Sequence, residues 1–349
     1  MTVTLDAMTI PGLDRACAAV RERAVPIDRG ETDTREDVRL LGALALLERG
    51  LEPSPLTDMI TVIESIAAES LSAGFSVWAH RMTLEYVERG PDSVREVFRE
   101  RLATGRSIGV TAMAAALQQA AGLGDVPLVA IPVDGGIEIS GPIRWASNVV
   151  DEAIIVLPAR GDDGATHIVA IEASAAGVRI NPAPQLLALG ATASTSLTLE
   201  RVFVPTGHVI STDLGRFCRE IRPTFLALQT SFCAGIAGVS LTESTALLTG
   251  LGEQFGDEHA ALAGDHASVR ARLYELAGHV DEVPIGELIR LRLDASHVAV
   301  ASTRLEATLR GGAGYAITHP TNRRFREAAF LPIQSPSEGQ LRWELTQSR

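Results

Sequence analysis

The run GPIRWASN, residues 141–148, sets an indole and a hydroxyl two positions apart, at Trp145 and Ser147. On an extended segment, side chains two apart point to the same face. Such a pair can face a ligand ring, with the hydroxyl beside one of the ring's polar atoms. It can equally be a core tryptophan next to a hydroxyl that satisfies a neighbour. A second candidate is the glycine pair Gly311 and Gly312, which would let backbone come close to a phosphate or would simply end a helix. A third is the basic set Arg323, Arg324 and Arg326 after Pro320, suited to pairing with a phosphate or to a salt-bridged helix face. The histidines show no ligand spacing, and Cys17, Cys218 and Cys233 lie far apart, so no metal site is expected. Neither a strand-linked GxGxxG nor a GxxxxGK[ST] occurs, which argues against nucleotide sites of those types.

These residues need elements to position them. The chain has 349 residues, enough for two or three structural units around a large core. Apolar residues make up 46% and aromatics 4%, so Ala, Leu and Val must fill that core, which favours packed helices. A formal net charge of −12 argues against a nucleic-acid surface but leaves room for an anionic ligand held by local arginines. Three sparse cysteines, an N-terminus without a basic stretch and long apolar run, and the expectation that no uncharged apolar run reaches about 18–20 residues all point to a cytoplasmic protein.

The hydrophobic pattern changes twice. Residues 35–48, 57–71, 75–89 and 92–103 read as helices, with Thr57 as an N-cap and the Gly90-Pro91 pair as a breaker. Between 107 and 212 the pattern is extended, with a hairpin signal at Asp134-Gly135-Gly136 and further short runs, which predicts an antiparallel barrel or sandwich. Residues 222–250, 260–282 and 284–310 are helical again, and the small residues Ala234, Gly235, Ala237 and Gly238 would permit close helix approach. The expected class is α+β, with a helical unit at 1–106, a β-barrel unit at 107–215 and a helical unit at 216–349.

Across nearly its whole length the chain resembles the acyl-CoA dehydrogenase superfamily. The segments AAESLSAGFSVWAHRM (67–82), Gly109-Val110-Thr111, GPIRWASN (141–148), LLALGATASTSLTLERVFVP and GGAGYAITHPTNRRFREA (311–328) carry the resemblance in the family's order. It implies a helical N-domain, a β middle domain, a C-terminal four-helix bundle and a homodimer or homotetramer with flavin at a subunit interface. It puts Trp145 against the flavin ring, Ser147 near a ring nitrogen, Thr111 at the pyrimidine side, and Gly311 and Gly312 near the dinucleotide phosphates. The cofactor so implied is FAD, with FMN as the alternative.

Several positions depart from the family's pattern. Ala112 to Ala116 replace its polar turn, Thr308 stands for a Gln, and Gly252-Glu253-Gln254-Phe255-Gly256 lacks an Arg. Ser335 falls where the glutamate base would be, and the second base position, near Leu228 and Gln229, has no acid either. A lone serine is no base at neutral pH. The dibenzothiophene-monooxygenase branch carries H-D-P where this chain has Gln334-Ser335-Pro336, and a helix histidine near His80. That makes His80 and Ser335 the catalytic candidates. Three functions follow: a flavin-dependent oxidoreductase acting on an acyl-CoA or related small apolar substrate without the usual base, an oxygen-using monooxygenase, or a half-site subunit that pairs with a complete paralogue.

Overall fold

The computed structural model describes residues 10–347. The chain opens with helices α1 (Leu13–Asp28), α2 (Arg35–Ala43), α3 (Leu56–Glu69), α4 (Leu71–Glu88) and α5 (Asp92–Ala103). Helix α3 starts after Pro55, whose extended backbone takes the N-cap place, so Thr57 falls inside the first turn and its carbonyl accepts from the Thr61 hydroxyl at 2.8 Å. This corrects the expected cap. Helix α4 starts where Ser70 turns extended and accepts from the Ala73 N–H at 3.3 Å. Every residue of α4 from Leu71 to Val87 is buried, so its environment on all sides is protein.

The middle of the chain runs β1 (Ile108–Thr111), α6 (Ala114–Ala120), β2 (Val129–Val133), β3 (Gly136–Ala146), β4 (Ala153–Arg160), β5 (Thr166–Glu172), β6 (Val178–Ile180), β7 (Thr195–Pro205) and β8 (Val209–Ser211). The hairpin forms at the expected turn, with Gly135 at φ 77 between β2 and β3. The strands make one sheet in the order β6-β7-β3-β2-β4-β5-β8, with β1 beside β4. It is an open sheet rather than the expected closed antiparallel barrel, because the outer strands β6 and β8 do not pair with each other. Two contacts are parallel, β1 with β4 and the end of β2 with β4. Strand β4, AIIVLPAR, is apolar without alternation because both of its faces are covered: Ile154 and Val156 join the helical core, while Ile155 and Leu157 join the sheet's own.

The chain closes with α7 (Leu214–Thr245), α8 (Gly256–Ala277), α9 (Ile285–Arg310), α10 (Gly312–Tyr315), α11 (Pro320–Ala328) and α12 (Glu338–Gln347). Helix α7 packs on α9, α8 and α3. A Cβ on Gly235 would lie 2.2 Å from the carbonyl oxygen of Glu64, so this glycine sets how closely α7 meets α3. One apolar cluster therefore runs through the N- and C-terminal helices. Between Arg222 and Glu243 there is no charged residue, contrary to the sequence expectation, and by length and composition α7 could cross a membrane. Here 89% of its apolar stretch is buried inside the protein, as in a core helix.

Candidate functional site

Two of the sequence candidates, His80 and Thr111, lie where α4 meets β1. Gly109 sits against α4 so tightly that a Cβ there would lie 2.7 Å from Cβ of Thr83 and 2.8 Å from the carbonyl oxygen of His80. Its N–H donates to Nδ1 of His80 at 2.9 Å, which leaves the ring proton on Nε2, where it donates to the Leu102 carbonyl at 2.9 Å. Burial, with the neighbouring charge of Arg81 adding to it, pushes the His80 pKa down to about 4. The imidazole is thus fully buried, neutral, and committed at both nitrogens to backbone. It ties α5 and β1 to α4 and has no nitrogen left for a substrate, which removes the geometric basis for His80 as a catalytic acid or base.

Asn148 completes this joint. It adopts φ 65, a left-handed conformation that asparagine tolerates. Its Nδ2 donates to the carbonyls of Ser76 (2.9 Å) and Gly109 (3.1 Å), and its N–H donates to Thr192 (2.7 Å). Thr111, two residues beyond Gly109, is half-buried, with its hydroxyl 3.1 Å from that of Tyr86. Burial raises the pKa of that tyrosine. Asn148 lay within the recognised motif, but Tyr86 carried no sequence signal beyond its place on an apolar helix.

Trp145 and Ser147 do not share a strand face as period two predicts. The pairing of β3 with β7 slips between Ile143 and Ala146, and β3 ends at Ala146. The bulge turns Trp145 outward, 59% exposed. Ser147 is half-buried and starts a chain of hydroxyls: Ser147 to Ser194 at 2.7 Å, Ser194 to Thr192 at 2.7 Å, and Thr192 to the Leu189 carbonyl at 2.7 Å. A carbonyl only accepts, so each hydroxyl in turn spends its proton inward. The outward lone pairs of Ser147 Oγ therefore offer an acceptor. Leu189 and Ala193 bracket this relay at φ 59 and 47, strained positions for residues with side chains.

The two positions where the family resemblance sets a base meet in space. Gln229 on α7 donates through Nε2 to the carbonyl of Ser335 at 3.0 Å. Neither is an acid, and the charged group beside them is Arg292 of α9. Its Nε donates to Gln229 Oε1 at 3.3 Å, and one terminal nitrogen donates to the Leu331 carbonyl at 3.1 Å and to Gln334 Oε1 at 3.0 Å. The Ser335 hydroxyl is buried and meets no partner. Sequence reasoning missed Arg292 because an arginine on a helix face reads as solvated.

Gly311 adopts φ 62 and caps α9, and both it and Gly312 are exposed. Eighteen residues of α9 separate Arg292 from Arg310, about 27 Å at helical rise, so the glycine pair stands far from the Ser335 locus. The arginine cluster is used internally. Arg324 pairs with buried Glu306, Arg326 with Asp28 at 2.7 Å, and Arg323 donates to the Glu69 carbonyl at 2.8 Å.

No family model matches the chain, and no curated protein matches it. Solved structures do. The butyryl-CoA dehydrogenase of Megasphaera elsdenii is 15% identical with a TM-score of 0.88, over 100% of this chain and 99% of that one. The glutaryl-CoA dehydrogenase of Mycobacterium smegmatis is 16% identical with a TM-score of 0.85, over 99% of this chain and 96% of that one. The structure described as PigA with FAD and proline is 15% identical with a TM-score of 0.85, over 100% and 99%. The chain has the acyl-CoA dehydrogenase fold.

Proposed function

We propose that this chain is a flavin-dependent oxidoreductase that acts on an acyl-CoA or related small apolar substrate without the glutamate base of the dehydrogenases. The single observation that carries this reading is Trp145, a large indole held 59% exposed by a bulge on the sheet, next to the outward acceptor of Ser147. An exposed indole offers a flat apolar face on which a ligand ring can stack. The indole would stack on the ring of FAD or FMN, with Ser147 and Thr111 as candidate polar contacts at its edge. Bound there, the ring would supply two-electron redox chemistry. The protein's own part is to present the indole and to accept a hydrogen bond at Ser147 Oγ.

The lack of a carboxylate at Gln229 and Ser335 speaks against α-proton abstraction from those positions. It supports a second reading, a half-site subunit that works with a complete paralogue, which Glu253, standing where a phosphate-binding arginine is expected, also favours. A visible absorption spectrum of the protein purified alone, then with added FAD and FMN, tests the first reading. Flavin bands with a resolved shoulder are expected. A colourless protein that takes up neither flavin at micromolar concentration refutes it, and a complex with a co-expressed paralogue on gel filtration would establish the second.

A further inference from the structure

Arg292 is only 1% exposed and has no carboxylate partner among the described residues. Its three hydrogen bonds go to neutral oxygens, of Gln229, Leu331 and Gln334, and its second terminal nitrogen donates to nothing described. A guanidinium stays ionised at any accessible pH, so this is a buried positive charge with no counter-charge. Three other buried arginines among the described residues are balanced, Arg81 by Glu85 at 2.9 Å, Arg324 by Glu306 and Arg222 by Glu344, and only Arg323 likewise lacks a carboxylate. Arg323 faces the last carbonyl of α3, at the negative end of that helix.

Two further buried donors, linked to Arg292 through shared neighbours, are idle. The indole N–H of Trp78 and the hydroxyl of Ser335 are buried with no acceptor. Trp78 and Arg292 touch the same ring: Phe232 lies 5.9 Å from the indole and 5.7 Å from the guanidinium carbon. Phe75 and Phe225 pack on the indole and Phe330 on Phe75, extending this into an aromatic wall. Ser335 is linked to Arg292 through the Gln229 side chain, and the loop that carries it reaches the surface at Ile333, which is 71% exposed.

We propose that this locus binds the carboxylate of a small ligand whose remainder is apolar, with Arg292 supplying the charge and Ser335 and Trp78 supplying hydrogen bonds. One negative charge matches one uncompensated guanidinium, and the aromatic wall suits an aryl or alkyl stem. A hydrated, multiply charged phosphate would lose more solvation than this wall could return. The inference rests on the proposed function only in making the substrate of that oxidoreductase an apolar monocarboxylate or a molecule bearing one, and its test needs no flavin.

The test is thermal unfolding of the full chain with benzoate or hexanoate, against benzamide, hexanamide, phosphate and chloride at equal ionic strength. A carboxylate at ten times its Kd is expected to raise the melting temperature by about 2 °C, with the amides and inorganic anions giving no such rise. Arg292→Met is expected to abolish the shift, and Ser335→Ala to weaken binding about three- to tenfold. If Arg292→Met fails to fold, Ser335→Ala and the acid-against-amide comparison on the unaltered protein decide the matter. Equal stabilisation by acid and amide, a shift that survives Arg292→Met, or no carboxylate shift at all would each overturn the proposal. Loss of flavin uptake with the carboxylate shift intact would remove the flavin reading and leave this one standing.

Discussion

Replacing His80 with leucine tests whether this buried imidazole is a clamp or a reagent. The change leaves the Gly109 N–H buried without a partner, while the Leu102 carbonyl keeps the Gly105 N–H at 3.0 Å. At about 1–3 kcal/mol for one stranded group, the loss is about 1–3 kcal/mol. The pH dependence gives a sharper signature. The folded pKa of His80 is depressed from 6.5 to about 4, so the folded state disfavours protonation. Its contribution is fully present above pH 6.5 and is lost as pH falls through 6.5 toward 4. Between pH 7.5 and 5.8 the unaltered protein should lose about 1 kcal/mol through this group, and the variant should not. The penalty of the substitution should therefore shrink by about 1 kcal/mol over that interval. Urea unfolding at fixed protein concentration reads it, and pH 5.8 stays above the isoelectric point of about 5.2. Because only the difference between the two proteins is used, other titrating groups cancel, including Asp37, whose burial pushes it up to about 6. A variant as stable as the parent but inactive would refute the clamp and restore His80 as a reagent.

Trp145→Ala should weaken flavin binding by about tenfold, the worth of an aromatic stacking contact, while leaving the melting temperature of the flavin-free protein nearly unchanged, since the indole is exposed; fluorescence titration and calorimetry together check this. Ser194→Ala frees the Ser147 proton to point outward, so the flavin midpoint potential should fall by about 20 mV in a redox titration, and no shift would refute the hydroxyl relay. Glu306→Ala strands the buried Arg324, which it holds at 2.9 Å, and should cost about 3–5 kcal/mol by denaturant unfolding, with Arg324→Met added to it recovering part of the loss. Gly109→Ala drives a methyl into Thr83 and His80 and should cost about 1–3 kcal/mol, measured the same way.

The sequence by itself determined the block order of helices, strands and helices. It did so because apolar periodicity and breakers are local: Gly90-Pro91 separates α4 from α5, Asp134-Gly135 turns β2 into β3, and Gly311 ends α9. It also pointed to Trp145, whose place in a recognisable motif needs no neighbours. What lay beyond it were properties that depend on contacts between distant segments. Whether the sheet closes depends on which strands pair at its edges. Whether Trp145 and Ser147 share a face depends on a bulge set by the partner strand β7. His80 reads as a free imidazole until Leu102 and Gly109 take its two nitrogens, 22 and 29 residues away. Arg292 reads as a solvated helix residue until α7 and the loop before α12 close over it. The charge at the centre of the candidate site is thus a tertiary fact: burial and missing counter-charges are set by three segments that the chain brings together only on folding.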